Sequence, residues 1–454
     1  MIQGLGLAFS RLSDRFMPHP FVFALLLTLL TFLLGYAWGG TPPGELLRDW
    51  YEGIWNPPLL VFALQMALIL VTGFALATTR PVRGAVTRLA GLVRGTASAV
   101  VITSLTAMTA GYLNWGLGLI VGALLAREIG QEARARGVRV HYPLVAAAGY
   151  TGLLVWHGGF SGSAPLSAAT SGHPLAAIMG VVPISATILS PLNLATTVFL
   201  FTVVPLALAR MAPAPADISE APPLPRDRPA GENRLPTPAT RLEDSRLLAG
   251  LVALAGLSFV IPYFVHTGTG GVNLNVIIFV FLLLGLLLHG TPRRYADSID
   301  EGARGAGGIL LQFPFYFGIL GIMNGAGLVV RFAELFVQGA RALSGAGVPV
   351  GSAHAVLTFL GAGVINLFVP SGGGQWAVQG PIAVEAAREL GTRLPTAILA
   401  VSYGDELTNM LQPFWALPLL ALTGLEARRI VGYTALLMLL VLPGFLLLLA
   451  IFGA

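Results

Sequence analysis

Asn366-Leu-Phe-Val-Pro-Ser-Gly-Gly-Gly-Gln-Trp376 and Tyr403-Gly-Asp-Glu-Leu-Thr-Asn-Met-Leu-Gln-Pro-Phe-Trp415 decide how this chain folds. Both lie in apolar surroundings long enough to sit inside a membrane. Both are interrupted by Gly or Pro and carry polar side chains at the interruption. A helix broken against lipid would turn unpaired N–H and C=O groups toward hydrocarbon, which is not tolerated. The breaks are therefore expected to pack within protein and to line a polar cavity at mid-membrane. Discontinuous helices of this kind build the binding sites of secondary carriers.

The composition agrees. Of 454 residues, 55% are hydrophobic and 10% charged, against about 25% charged in a soluble domain. Many apolar runs approach the roughly 20 residues that cross a bilayer. The expected fold class is an all-α polytopic membrane protein with about nine full spans. A net charge of +5 is ordinary once arginine-rich loops on one side are allowed for, and it does not argue for nucleic acid. All 26 basic residues are arginine, which reads as coding bias. With no cysteine there are no disulfides, thiolate nucleophiles or cysteine-held clusters. The first apolar run, Phe21 to Gly39, is long for a signal-peptide core and no cleavage site follows, so it reads as a span.

Charge sets the expected orientation. The loop with Arg80, Arg83, Arg88 and Arg94 holds no acid, which places it and the N-terminus in the cytoplasm, in a cell inner membrane. The loop with Arg127, Arg134, Arg136 and Arg139 is basic as well. One span between them would put them on opposite sides. Two spans and a turn need about 40 residues, and about 30 are available. A re-entrant hairpin over about 96–126, with its tip near Asn114, resolves the conflict. A broken helix over about 142–171 follows, interrupted at Trp156-His-Gly-Gly-Phe-Ser-Gly-Ser-Ala-Pro165. Residues 1–211 form the first repeat. Residues 212–245 hold eight prolines from Pro213 to Pro238 and read as a flexible cytoplasmic linker without a core. A single helix at 246–270 leads to the second repeat, 271–454, with a hairpin over about 352–387 and a broken helix over about 394–421.

The repeat is visible in letters. Ala110-Gly-Tyr-Leu-Asn114 matches Ala362-Gly-Val-Ile-Asn366. From that Asn to the next landmark Tyr is 36 residues to Tyr150 and 37 to Tyr403. An odd number of spans between the copies inverts the second.

Asn114 and Asn366 at the hairpin tips either cap their own half-helices or also point at ion or substrate, since half-helix N-termini offer free N–H groups to an anion. Gly372, Gly373 and the glycine after them either allow close helix packing or bring backbone up to a ligand. With Ser371, Gln375 and Trp376 alongside, the ligand reading is favoured. Gly159, Ser161 and Ser163 mark the matching break of the first half, and Thr408, Asn409 and Gln412 complete the substrate set in the second. The letters Gly-Phe-Ser-Gly also fit a rhomboid-type intramembrane serine protease. That enzyme needs a general-base His near Ser161, and His266, His289 and His354 fall at predicted span ends or loops. It stays a remote alternative, and a non-enzyme is expected.

Asp405 and Glu406 are adjacent acids inside the predicted membrane region, a functional hypothesis by default. With His157 they are the candidate coupling residues. They carry a proton, or they help hold Na⁺ near Asn114, Asn366 and Asp405; no other metal and no cofactor is expected. The structural reading pairs one acid with a neighbouring donor. No Arg stands at any break, so a carboxylate must be held by helix N-termini, hydroxyls and amides, which suits a single negative charge. Phe160, Trp376, Phe414 and Trp415 are candidate walls of an apolar pocket. Each buried CH₂ is worth about 0.8 kcal/mol, so affinity would rise with chain length until a wall stops it.

The stretches Asn366 to Pro381 and Gly404 to Pro418, together with Phe16-Met-Pro-His-Pro-Phe21 and Trp156 to Pro165, resemble the signature stretches of the bacterial short-chain fatty acid transporter family. The resemblance covers nearly the whole chain. It implies uptake of short monocarboxylates of the butyrate or acetoacetate type. It also implies kinship with the ion-transporter superfamily, with paired hairpins, a homodimer in membrane lipid and elevator-like motion. A carrier of dicarboxylates or amino acids is the alternative, which the missing Arg disfavours.

Overall fold

Why these residues form helices is seen at their ends. Asn56, Ser190, Ser245 and Thr291 each accept a backbone N–H from the first turn of the helix that follows, and a proline sits in the first turn of three of the four. The computed structural model describes residues 2–16, 20–169, 175–222, 237–268, 274–369 and 372–453, and among them there is no strand.

The first half contains α1 (Ile2–Phe16), α2 (Pro20–Ala37), α3 (Pro43–Ile54), α4 (Pro57–Ala77) and α5 (Arg80–Gly91). A hairpin of α6 (Thr96–Leu113) and α7 (Trp115–Ala135) comes next. The broken helix is α8 (Tyr142–Gly149), a 3-10 turn (Tyr150–Leu154) and α9 (Ser163–Ala169). The short α10 (Ala176–Met179) and the long α11 (Pro191–Met211) complete the half. After α12 (Pro238–Glu243) and α13 (Arg246–Thr267), the order starts again. It runs through α14 (Leu274–His289), α15 (Pro292–Ala303), α16 (Gly307–Gly325), α17 (Leu328–Gly345), a hairpin of α18 (Val350–Asn366) and α19 (Gly372–Glu389), a broken helix of α20 (Leu394–Thr408) and α21 (Pro413–Thr423), and α22 (Arg428–Gly453). The element order of α2 to α9 and α11 is thus repeated by α14 to α22.

Among the described residues, five stretches are long and apolar enough to cross a membrane: Leu59–Leu76, Thr96–Leu113, Pro191–Met211, Pro238–Thr267 and Arg428–Gly453. Shorter apolar helices include Ala24–Ala37, Asn275–His289, Leu310–Gly325 and Val350–Asn366.

Three sequence expectations need correction. The loop with Arg80, Arg83 and Arg88 is largely the helix α5, and α3, α15 and α17 are further helices between the expected spans. These four are too polar to register as spans, yet each has an apolar side: α3 buries Leu46 and brings Gly53 against the Phe317 carbonyl of α16. The first hairpin does not end near 126. Its second arm runs to Ala135, so the arms are about 27 and 32 Å long at 1.5 Å per residue. The charged turns of α7 are held: Glu128 accepts the Thr87 hydroxyl at 2.5 Å, and Arg127 lies 5.4 Å from the Phe74 ring centroid. Finally, the start of the linker is docked. The Tyr142 N–H donates to the Ser219 carbonyl at 2.8 Å and the Ser219 N–H to His141 Nδ1 at 3.0 Å, while Arg134 and Arg139 donate to the carbonyls of Ala221 and Pro215. Residues 223–236 lie outside the described set.

Two groups of helices emerge from the packing. α2, α3 and α4 pack with α14, α15 and α16. The hairpins, the broken helices, α11 and α22 pack with one another, with α5 and α17 lying against the hairpins. The groups meet along narrow seams, among them α4 against α7 and α16 against α21.

Candidate functional site

Glycines let each hairpin press on its broken helix. A Cβ at Gly111 would stand 2.5 Å from the Gly152 carbonyl oxygen, and one at Gly122 would strike the carbonyl of Gly149. In the second half Gly404 meets the Phe359 carbonyl in the same way. Such contact brings backbone against backbone and puts each hairpin tip beside a helix break.

The two tips then differ. Asn114 turns the first hairpin alone, and its Oδ1 accepts the N–H of Gly116 (2.9 Å) and Leu117 (3.2 Å), a cap on the outgoing helix. The next free donor, the Trp115 N–H, goes to Ser161 Oγ at 2.9 Å. Phe160 donates its N–H to the Tyr112 carbonyl at 2.8 Å, and Gly159 lies flat against that same carbonyl. The first-half tip and break are thus stitched together. Ser161 is engaged by backbone, and among the described residues no imidazole bonds to it. His354 instead meets the Thr392 hydroxyl at 2.9 Å.

Asn366 caps no backbone N–H among the described residues. Its Nδ2 faces the Asp405 carbonyl (2.7 Å), Thr408 Oγ1 (2.9 Å) and Asn409 Oδ1 (3.0 Å), and its own carbonyl accepts from Gln412. Predicted residues from the second tip and break therefore form one cluster. Within it Asn366 Oδ1, Asn409 Nδ2, Gln412 Oε1 and Asp405 Oδ2 are buried and have no partner among the described residues. Buried polar atoms are rarely left so. Ser371 lies outside the described residues. Gln375 bonds within its own hairpin, to the Ala362 carbonyl (2.9 Å) and Gln379 (2.8 Å). Ser163 opens α9.

His157 and Glu406, both buried like Asp405, link the two clusters. Glu406 Oε2 accepts the N–H of His157 at 3.0 Å and of Gly158 at 3.4 Å. Asp405 Oδ1 is 3.6 Å from His157 Nδ1, beyond a hydrogen bond. The start of α19 reaches this point: a Cβ at Gly372 would be 2.6 Å from the Trp156 ring and 2.9 Å from His157 Cε1, whereas Gly373 faces open space. The expected aromatic wall is rearranged. Trp415 packs edge-on to Trp115 (5.2 Å), Trp115 to Trp156 (6.3 Å), and Trp156 stacks on His157 (4.1 Å). Trp376 belongs to a separate cluster with Ala164, Ala362 and Val401, and Phe160 meets Tyr112. The side chain of Phe414 is outside the description.

The two halves hold each other reciprocally. Tyr150 of the first donates to the carbonyls of Asn409 (2.9 Å) and Gln412 (3.0 Å) at the second break. Tyr403 of the second donates to Asn193 Oδ1 at 2.8 Å, and Asn193 Nδ2 donates to the Gly158 carbonyl at 2.7 Å at the first break. The landmark tyrosines of the repeat thus do equivalent work. Their role was not foreseen, nor was that of Asn193, although a lone Asn early in an apolar span was a readable signal.

Residues 1–452 match the family of short chain fatty acid transporters. The chain belongs to that family. A relative from Escherichia coli (strain K12) is 39% identical over 437 residues, covering 95% of this chain and 96% of its own. One from Haemophilus influenzae is 36% identical over 444 residues with the same coverage. Both are provisionally named short-chain fatty acid transporters. Two solved structures are similar at a distance. The YdaH transporter of Alcanivorax borkumensis shares 17% identity at a TM-score of 0.44, over 96% of this chain and 98% of that one. Neisseria gonorrhoeae MtrF, from a class of antimetabolite efflux pumps, shares 18% at 0.38, over 98% and 97%. At those scores no detail of either is carried over. Membership of the family makes the apolar helices those of a multi-pass membrane protein and the breaks parts of a transporter, not of an enzyme.

Proposed function

We propose that this protein is a secondary active transporter that takes up short-chain monocarboxylates, of the butyrate or acetoacetate type, with a coupled H⁺ or Na⁺. One observation carries the reading: the N-terminus of α19, at Gly372, meets the Trp156–His157 stack beside Asp405 and Glu406. A helix N-terminus attracts a carboxylate, the indoles take a short apolar tail, and Asp405, with one oxygen unpartnered among the described residues, lies where a cation could bind. A monoanion entering a negative cell costs about 2.3 kcal/mol per 100 mV, which one cation cancels and two reverse. The grouping of α2–α4 with α14–α16, apart from the hairpins and broken helices, supports an elevator-like motion of the second group against the first.

The test is uptake of radiolabelled butyrate into proteoliposomes under an imposed pH gradient, an imposed Na⁺ gradient, or neither. Accumulation above equilibrium with one gradient names the ion. Equilibration without accumulation would mean a passive channel. No butyrate uptake by folded protein would direct the search to dicarboxylates and amino acids.

A further inference from the structure

We infer that Glu406 is a positioning residue, not the carrier of the coupling ion: it closes a ring of hydrogen bonds that holds the first-half helix break in shape for the substrate. This rests on the reading of that break as part of the transport site.

The ring is complete on its own terms. Glu406 Oε2 accepts the two N–H groups that the break leaves free, those of His157 and Gly158. The carbonyl of Gly158 accepts from Asn193 Nδ2, and the same NH₂ group donates to the Ile188 carbonyl at 2.7 Å. Asn193 Oδ1 accepts the Tyr403 hydroxyl. Tyr403 and Glu406 are three residues apart on α20, on one face of that helix. The path therefore runs from α20 to α11, to the break, and back to α20. Asn193, Tyr403, Glu406 and His157 are each at most 1% exposed. No side chain fits at Gly158, where a Cβ would stand 2.5 Å from Asn193 Oδ1.

The neighbouring acid is arranged differently. Asp405 is equally buried, yet its Oδ2 has no partner among the described residues and its Oδ1 falls short of His157. An ion-carrying acid changes partners in every cycle. Asp405 can do so without breaking a side-chain hydrogen bond among the described residues. Glu406 could do so only by releasing two buried amides, which is the costly change. Two buried N–H groups on one oxygen hold the side chain in place, and an amide oxygen can accept them as a carboxyl oxygen does. What it holds is useful to the site: Trp156 and His157, stacked together, form the surface that Gly372 meets.

Glu406→Gln keeps a side-chain oxygen for the amides, whereas Glu406→Ala removes it. In the butyrate uptake assay, Glu406→Gln is expected to lose no more than about threefold in kcat/KM and to keep its ion dependence, while Glu406→Ala raises KM about tenfold or more. Asn193→Ala should raise KM in the same way, and the double variant should add little to either, because both open one ring. Hydrogen–deuterium exchange of residues 155–162 should quicken in Glu406→Ala and stay near the unaltered rate in Glu406→Gln. A folded Glu406→Gln protein that transports without ion dependence, or is as inactive as Glu406→Ala, overturns the assignment. If the unaltered protein takes up no butyrate, the substrate reading fails by itself. The exchange measurement then decides the ring, and unchanged exchange in Glu406→Ala would sink it.

Discussion

Asp405 is the buried acid whose second oxygen has no partner among the described residues, and that places the coupling test on it. Asp405→Asn is expected to remove the pH or Na⁺ dependence of uptake while leaving downhill exchange of substrate. Unchanged ion dependence in a folded variant would rule Asp405 out. Trp156 supports a second expectation. It is stacked on His157 and edge-on to Trp115, which in the proposed reading makes it the apolar wall of the site. Trp156→Ala should admit longer acids, and each added CH₂ that finds room is worth about 0.8 kcal/mol, about fourfold in affinity. Competition of hexanoate against butyrate measures this; an unchanged chain-length order would put the wall elsewhere. That acids and aromatic residues would gather at the breaks was legible in the sequence. Which of them touch was not: Trp376 and Phe160 face other partners, and Trp115 takes their place. Helical spacing tells which residues share a face, not which face meets a distant segment.

At the scale of elements, the docked start of the linker is the departure from expectation. A Pro-rich, charged run has little apolar surface to bury, yet residues 215–221 lie against α7 and the entry to α8 through backbone bonds that composition does not reveal. His141 is expected to make this docking depend on pH. Burial, with Arg429 adding to it and Asp217 opposing, holds its imidazole down from 6.5 to about 4. The neutral ring accepts the Ser219 N–H, and it also meets the Tyr433 hydroxyl at 2.8 Å. Between pH 6.5 and about 4 the released segment binds more protons than the docked one. The docked form is therefore fully favoured above 6.5 and loses ground as pH falls toward 4. Protection of the Ser219 amide against hydrogen exchange, corrected for intrinsic rates, should fall across that window. Level protection would show that His141 titrates without moving the segment.

For the whole molecule, the proposed motion of one helix group against the other can be tested at their seam. A Cβ at Gly73 on α4 would stand 3.5 Å from Ile120 Cβ on α7, within the range of a disulfide. The chain has no cysteine of its own, so Gly73→Cys with Ile120→Cys introduces a single clean pair. Oxidation should stop uptake and reduction restore it. Full uptake by the crosslinked protein would exclude sliding along this seam.

The sequence by itself determined the class, the duplication and the position of both breaks. Long apolar runs admit only helices in lipid, and Gly or Pro with polar neighbours inside such a run admits only a protein-packed interruption. Only the tertiary structure decided how the breaks are used. It made Asn114 a cap and Asn366 a bridge, and it set Tyr150 and Tyr403 to hold each other's break. It also gave Glu406 two amides and left Asp405 Oδ2 without a partner among the described residues. The physical reason is distance along the chain. These bonds join residues tens to hundreds of positions apart, and local propensity carries no information about which of several equivalent donors and acceptors will meet.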